Sequence, residues 1–313
     1  YLTGLYTRKR KSIVRIISAY FKRVWGIIQT NRFDLIWVEK ELLPWAPSWF
    51  EFHLTRQMIP FIVDYDDAIF HHYDLNSHYL LRRILGRKID QIMRKARLVT
   101  AGNRYLAQRA ARAGSGRIEI IPTVIDLERY PVTPVRQRTP FTIGWVGSPT
   151  TAVYLKLVEK VLITFCRKHD ARVVIIGAGN LNLSAEIPID FLPWSEDSEA
   201  ESIAEFDVGI MPLPDTPWAR GKCGYKLIQY MGCGRPVLAS SMSAELGIIQ
   251  DGETGFLVGS ESHWIDRLEA LYDDRKRAAK MGKKGREIVV KKYSLQVMAP
   301  RLTLLLRSAA RNT

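Results

Sequence analysis

The sequence predicts an α/β protein built of two doubly wound, parallel-sheet domains that face each other across a cleft. Three observations carry that prediction. Short apolar strands alternate with helical segments along the chain. Of its 313 residues, 47% are hydrophobic, enough for two cores of ordinary domain size. A stretch containing Pro and Arg, residues 131–140, breaks the alternation near the middle and reads as a linker. Strand–helix alternation implies right-handed crossovers and a sheet covered on both faces.

In chain order, the first half offers strands at Leu35–Val38, Phe61–Val63, Leu98–Thr100 and Ile118–Ile121, with helices at Ser12–Ile28, Tyr79–Ala96 and Arg104–Ala113. The second half offers strands at Phe141–Val146, Arg172–Ile176, Ile187–Leu192, Asp207–Met211, Pro236–Ala239 and Gly255–Val258. Between most of them lie segments with helical spacing: Ala152–Arg167, Glu199–Glu205, Tyr225–Met231 and Ser243–Ile249. Three helices close the chain, Glu261–Asp273, Arg275–Tyr293 and Leu295–Ser308. The expected division is residues 1–135, residues 136–295, and a terminal helix at 296–313 that packs back on the first domain.

Composition excludes several classes. Aromatic and β-branched residues run throughout, so the chain is not disordered. Cys166, Cys223 and Cys233 are odd in number and lack CxxC spacing, which argues against a disulfide framework or a cysteine zinc site and for a reducing, cytoplasmic setting. No apolar run reaches the roughly 18 residues that span a bilayer. Tyr1–Gly4 leads straight into basic sequence, so no signal peptide is expected. The net charge of +14 is uneven: residues 1–140 hold 24 Lys/Arg against 12 Asp/Glu, and the remainder 22 against 20. The basic half suits an anionic partner. Helix-turn-helix, RNA-recognition and zinc-finger patterns are lacking, so no specific nucleic-acid partner is expected.

Arg8–Gln29 carries Ile13, Ile17, Tyr20, Val24 and Ile27 at helical spacing, widened by Trp25 and Ile28 and flanked by cations. Two readings stand. Either the helix lies on an anionic membrane at the inner face of the cell, or its apolar face packs on the sheet while its cations are solvated.

Ligands of doubly wound sheets sit beyond the carboxyl ends of the strands, which selects the loops to examine. The strand 141–146 runs into Gly147, Ser148, Pro149, Thr150 and Thr151. Thr150 or Thr151 is expected to cap the next helix, whose freed N–H groups suit phosphate oxygens. A plain strand-to-helix turn is the alternative, and neither the P-loop nor the dinucleotide glycine pattern is present. Gly177-Ala178-Gly179 reads as a structural turn. The richest loop runs from Pro217 to Val237: Arg220, Lys222 and Lys226 bracket a helix start preceded by Gly221 and Gly224. Cations, glycines and the positive end of a helix dipole together suit a diphosphate. The helix closes at Gly232-Cys233-Gly234.

The run from Trp218 to Ser240 resembles the donor-site helix of retaining, nucleotide-sugar-dependent glycosyltransferases of family 4, which have the GT-B fold of two Rossmann-like domains. The resemblance covers the second half, with Ile143–Ser148 as phosphate turn and Gly252–Phe256 as late turn, and reaches Asp64–Phe70 more thinly. Two glutamates eight positions apart mark that helix in the family. Here they correspond to Gly221 and Gln229, so both carboxylates are missing. Gln229 can still reach ribose hydroxyls, whereas the sugar contact of the first glutamate does not carry over. A subgroup with Lys-x-x-x-Tyr-Met in this helix is similar to the present Lys226, Tyr230 and Met231. The family's N-terminal domain opens with a strand and a glycine-rich turn. Nothing before Ser12 resembles them, so that first strand–helix unit is expected to be missing.

The resemblance implies transfer of a sugar, with retention, from a nucleoside diphosphate sugar to a hydroxyl of a glycan or lipid-linked acceptor, without a cofactor. Lys226, Lys222, Arg220 and the N–H groups around Gly147, Ser148, Gly224 and Tyr225 would hold the departing diphosphate. The resemblance also places the base near the turn after the strand Ile187–Leu192, where Trp194 or a neighbouring backbone group would hold it, although a Trp after a strand is more often a packing residue. In the first half, Asp64, Asp66 and Asp67 end a strand. Three carboxylates suit a divalent cation or a phosphatase nucleophile and acid. The preferred reading has Asp67, then Asp66, orient or deprotonate the acceptor hydroxyl, with Asp64 capping the next segment. No metal is expected, since the cationic loop already supplies charge. His71, His72 and His78 read as surface residues. The lost glutamates and missing first strand motivate an alternative: a non-catalytic, nucleotide-sugar-binding subunit of a glycan-assembly complex.

Overall fold

The computed structural model describes residues 13–54, 60–132 and 139–311. Within these, the chain forms two compact units: residues 1–121 with 303–313, and residues 122–302. Most of the 131–140 stretch and the basic run 8–11 lie outside the described residues.

The first unit holds four parallel strands in the order β1 (Ile36–Glu39), β2 (Phe61–Tyr65), β3 (Leu98–Ala101) and β4 (Ile118–Ile120). Val63 stands opposite Val38 on one side and Val99 on the other, a row of valines on one face, while the buried Ile62 and Leu98 pair on the other face. The helix expected over 79–96 is two helices, Tyr79–Leu85 and Lys88–Lys95. Gly86 ends the first, where a Cβ would stand 2.3 Å from the Arg82 carbonyl oxygen. The helix Arg104–Ala113 starts on Asn103, whose side chain accepts from Leu106 N, and stops at Gly114 in the left-handed conformation, φ +80.

Lys88 is a buried cation that composition alone does not reveal. Its side chain is 0% exposed, with Nζ 2.6 Å from Glu41 and 2.7 Å from Glu51. The same ammonium donates to the Leu43 carbonyl at 2.5 Å, so the charge pins the loop after β1 from three sides. Leu305 and Ala309, in the last helix Leu295–Ala310, pack against Ile62 and Leu98. Arg117 Nη1 donates to Ser308 Oγ at 3.0 Å beside them.

The helix Ile13–Ile28 departs from the reading that packs its apolar face on the sheet. Tyr20, Val24 and Ile27 turn inward, with the Tyr20 hydroxyl on the Pro44 carbonyl and Arg23 donating to Leu42 O at 2.9 Å. Its packing partners are thus the loop after β1 and the helix Ser48–Leu54. Val14, Ile17, Phe21, Trp25 and Ile28 form a second apolar stripe, which is exposed.

The second unit is a six-stranded, all-parallel sheet in the order β10-β9-β8-β5-β6-β7. Its strands are β5 (Phe141–Val146), β6 (Ala171–Ile176), β7 (Ile189–Leu192), β8 (Val208–Met211), β9 (Val237–Ser240) and β10 (Gly255–Val258). β5 is buried along its whole length, as a strand covered on both faces must be. The helices Glu159–Lys168 and Glu261–Asp273 cover one face with Leu162, Phe165, Trp264 and Leu268. Tyr225–Gly232 and Arg275–Lys292 cover the other through Leu227, Met231 and Val289. Gly144 and Gly209 let rings lie on the sheet: a Cβ at either would stand 2.0 Å from Phe206 or 2.3 Å from Tyr230. The strand order reverses between β5 and β8, and that topological switch point opens the crevice in which such sheets bind ligands.

Candidate functional site

The carboxyl end of β5 runs into Gly147, whose N–H donates to the Ile176 carbonyl at 3.0 Å. Ser148, not Thr150 or Thr151, occupies the helix N-cap position, because Pro149 follows it at the first helical position. The Ser148 hydroxyl instead meets Thr150 Oγ1 at 2.8 Å. Next to this turn lies the helix Tyr225–Gly232, entered through Gly224 at φ +70. Tyr230 ties the two together: its hydroxyl accepts from Val146 N at 3.0 Å and donates to Ile210 O at 3.4 Å. One helical turn earlier, on the same face, Lys226 reaches Gly147. A Cβ on Gly147 would stand 2.7 Å from Lys226 Cε and 2.7 Å from the Trp145 ring. Lys226 Nζ lies 5.3 Å from the Trp145 ring centroid. Residues 79 positions apart in sequence thus share one anion-favouring turn, with the first N–H groups of the helix beside it.

Gly177 belongs to this turn as well, in the left-handed conformation at φ +76. A Cβ there would stand 2.5 Å from Gly147 O and 3.0 Å from Trp194 Cβ. Its lack of a side chain lets Trp194 close on the β5 turn. Trp194 is 52% exposed, yet its indole N–H is committed, donating to Glu199 Oε1 at 2.7 Å.

Behind these residues runs a buried network that sequence reasoning missed. Tyr130 Oη donates to Glu199 Oε2 at 3.0 Å and accepts from Gln229 Nε2 at 2.9 Å. The Tyr225 hydroxyl is hydrogen-bonded to the same Tyr130 oxygen. Burial raises both phenols above their ordinary value. Gln229 is 2% exposed and donates its amide to Tyr130. Tyr130 and Glu199 carry no motif. The one sequence signal is an acid followed by small residues at the start of a helix.

The other cations of the loop find partners close by. Arg220 forks onto Asp215, with Nε 3.0 Å from Oδ1. It also borders a cavity of about 480 Å³ lined by Ser240, Ser241, Glu245 and Ser260 at the carboxyl ends of β9 and β10. Lys222 Nζ lies 5.3 Å from the Trp218 ring centroid.

In the first unit, Asp64 does not cap the next segment. It is held by Thr100 Oγ1 on the neighbouring strand at 2.5 Å, and burial raises its pKa. Asp66 pairs with Lys40 at 2.9 Å, and Asp67 follows on the same turn. Among the described residues no group of three or more His, Cys, Asp and Glu could hold a metal ion. His71 is not a surface residue. Its ring nitrogens lie 2.8 Å from Asp74 Oδ1 and 2.8 Å from Tyr105 Oη. Among the described residues, no helix is long and apolar enough to cross a membrane.

Residues 140–274 match the family model described as Glycosyl transferases group 1. A stretch of 79 residues is 39% identical to D-inositol 3-phosphate glycosyltransferase of Paenarthrobacter aurescens (strain TC1) and 35% identical to the protein of the same name from Arthrobacter sp. (strain FB24). It is 25% of this chain and spans only 18% of the length of each relative. Among solved structures, sucrose-phosphate synthase from Thermosynechococcus elongatus superposes with a TM-score of 0.71 at 17% identity, covering 96% of this chain and 80% of that one. Anabaena HepE in complex with UDP gives 0.71 at 15% identity, covering 91% and 82%. The pneumococcal O-GlcNAc transferase GtfA, in complex with UDP and GlcNAc, gives 0.69 at 14% identity, covering 93% and 60%. These likenesses show the fold, the GT-B arrangement of two Rossmann-like α/β domains.

Proposed function

We propose that the chain is a retaining glycosyltransferase of the family 4 kind, which moves a hexosyl group from a nucleoside diphosphate sugar to a hydroxyl of a glycan or lipid-linked acceptor in polysaccharide assembly. The observation that carries this reading is the approach of Lys226 to Gly147 at the switch point of the second unit. A lysine ammonium, a glycine-bounded turn and a helix start form an electrostatic receptacle for the charge that develops as a diphosphate departs. Lys226 is the group assigned to that charge, with the N–H groups at Gly147, Ser148, Gly224 and Tyr225. Arg220 and Lys222 add positive potential from the same loop. Asp67, with Asp66, is assigned the acceptor hydroxyl.

Turnover of a panel of nucleoside diphosphate sugars tests the reading. Wild-type protein should release nucleoside diphosphate in the presence of acceptor, and Lys226→Ala should lower kcat by about 10²-fold or more with the fold retained. Undiminished turnover by Lys226→Ala would remove the phosphate role.

The withdrawn Gln229 and the glycine at 221 favour a second reading, a non-catalytic nucleotide-sugar-binding subunit of a glycan-assembly complex. It would bind the donor and turn over with no acceptor. The exposed stripe Val14, Ile17, Phe21, Trp25 and Ile28, flanked by Arg15, Lys22 and Arg23, supports peripheral contact with an anionic membrane at its cytoplasmic face. Salt-sensitive co-sedimentation with vesicles of mixed neutral and anionic lipid, lost in Phe21→Ser/Trp25→Ser, checks that part.

A further inference from the structure

We propose that Lys40 is a positioning residue of the acceptor side: its ammonium fixes the Asp66 carboxylate, and with it the turn that carries Asp67, where a sugar hydroxyl is received. The inference rests on the transferase reading above and deepens it.

The backbone at Lys40 is strained. The residue follows β1 directly and stands at φ +66, a left-handed conformation that a long side chain rarely adopts. Across it, Glu41 N donates to Glu39 O at 2.8 Å, which closes a γ-turn of the rare kind with a positive φ at its centre. Glycine would sit there without strain. Contacts on both sides keep the turn from relaxing. Lys40 N donates to Asp64 O at 2.9 Å, which extends the β1–β2 ladder. Glu41, the next residue, is held by Lys88 Nζ at 2.6 Å and by the Tyr73 hydroxyl at 2.8 Å.

The turn aims the side chain. From the carboxyl end of β1, Lys40 Nζ reaches Asp66, just past the carboxyl end of β2, and lies 2.9 Å from its Oδ1. Glu39 lies 3.9 Å away. Burial draws the Lys40 pKa down, yet the hydrogen bond to Asp66 and the charges of Asp66, Asp67 and Glu39 carry it above its ordinary value. The side chain of Lys40 is 30% exposed and that of Asp66 50%. An ion pair this open contributes little to stability, too little to offset a left-handed lysine. Strain of this kind gathers at ligand and active sites, and this turn stands at the edge where doubly wound sheets receive ligands. Held by the lysine, the Asp66 carboxylate keeps one orientation while half of it faces solvent, as reception of a hydroxyl requires.

The test compares Lys40→Ala, Lys40→Gly and Lys40→Arg with the wild-type protein. UDP-, ADP- and GDP-glucose serve as donors, and a panel of p-nitrophenyl glycosides as acceptors. Lys40→Ala keeps the strain and loses the ammonium, whereas Lys40→Gly loses both. Each should lower kcat for acceptor-dependent release of nucleoside diphosphate by roughly 10-fold to 100-fold. The calorimetric Kd for the nucleoside diphosphate, whose charge is met in the second unit, should not change. Lys40→Gly should melt at or above the wild-type temperature, because the turn suits glycine. Lys40→Arg should recover most of the turnover, since a guanidinium can hold the same carboxylate. Wild-type turnover in Lys40→Ala and Lys40→Gly would overturn the inference and leave the transferase reading standing. A fall in turnover that merely tracks a fall in melting temperature would do the same. If the wild-type protein turns over no donor with any acceptor, the transferase reading falls and takes this inference with it.

Discussion

Gln229 donates its side-chain amide to the hydroxyl of Tyr130 at 2.9 Å, across 99 positions of sequence. The pair is buried, and Tyr130 passes the contact on to Glu199. Tyr130→Phe strands the amide of Gln229 and removes one donor from Glu199. A stability loss of about 1–3 kcal/mol is expected in denaturant unfolding. Ligand affinity should fall through Trp194 and Tyr225, which lose their common anchor.

Gly147→Ala adds a methyl that meets Trp145 and Lys226 at 2.7 Å. The lysine chain can swing away, but the buried indole cannot. The expected result is a native-like circular dichroism spectrum, a stability loss of about 1–3 kcal/mol from the overpacked indole, and at least roughly tenfold weaker binding of nucleoside diphosphate, since the ammonium is displaced from the turn. Unaltered affinity would separate Lys226 from the anion site.

Lys88 neutralises Glu41 and Glu51 in the interior of the first unit. Lys88→Met leaves two buried carboxylates without a counter-charge, at a cost of about 3–5 kcal/mol. Lys88→Met combined with Glu41→Gln and Glu51→Gln should recover much of that loss, which thermal melting can read directly.

Burial raises the Asp64 pKa above its ordinary 3.8, even though the Thr100 hydrogen bond pulls the other way. The folded state therefore holds this proton at pH values where the unfolded chain has released it. Asp64 contributes stability at low pH, and that contribution declines as pH rises through the window between the ordinary and the raised value. Asp64→Asn removes the slope. Melting temperatures of the variant relative to wild type should accordingly become more favourable as pH rises from the ordinary carboxylate value through the raised one.

Much of the second unit is legible in its sequence because its strands are buried on both faces. Phe141–Val146 and Arg172–Ile176 read as near-continuous apolar runs bounded by glycine, which is what a central parallel strand requires. The Lys226 and Gly147 loops are legible for a related reason, since each has local chemistry at a strand's carboxyl end. Tyr130, Glu199 and Lys88 are not. Their partners are distant in sequence, and a buried polar group announces itself by contact, not by periodicity. The helix Ile13–Ile28 misled in another way. Ile17, Trp25 and Ile28 sit at helical spacing with one apolar set, and Tyr20, Val24 and Ile27 with another, so the pattern could not say which set faces the protein.

The last helix has a consequence for how the molecule is made. Leu305 and Ala309 complete the core of the unit that the amino-terminal residues begin, and they leave the ribosome after every residue of the other unit. Until residues 305–309 have been made, Ile62 and Leu98 lack their cover, although the strands that carry them are synthesised some 200 residues earlier. Deleting residues 303–311 would therefore injure a sheet that lies about 200 positions away in sequence.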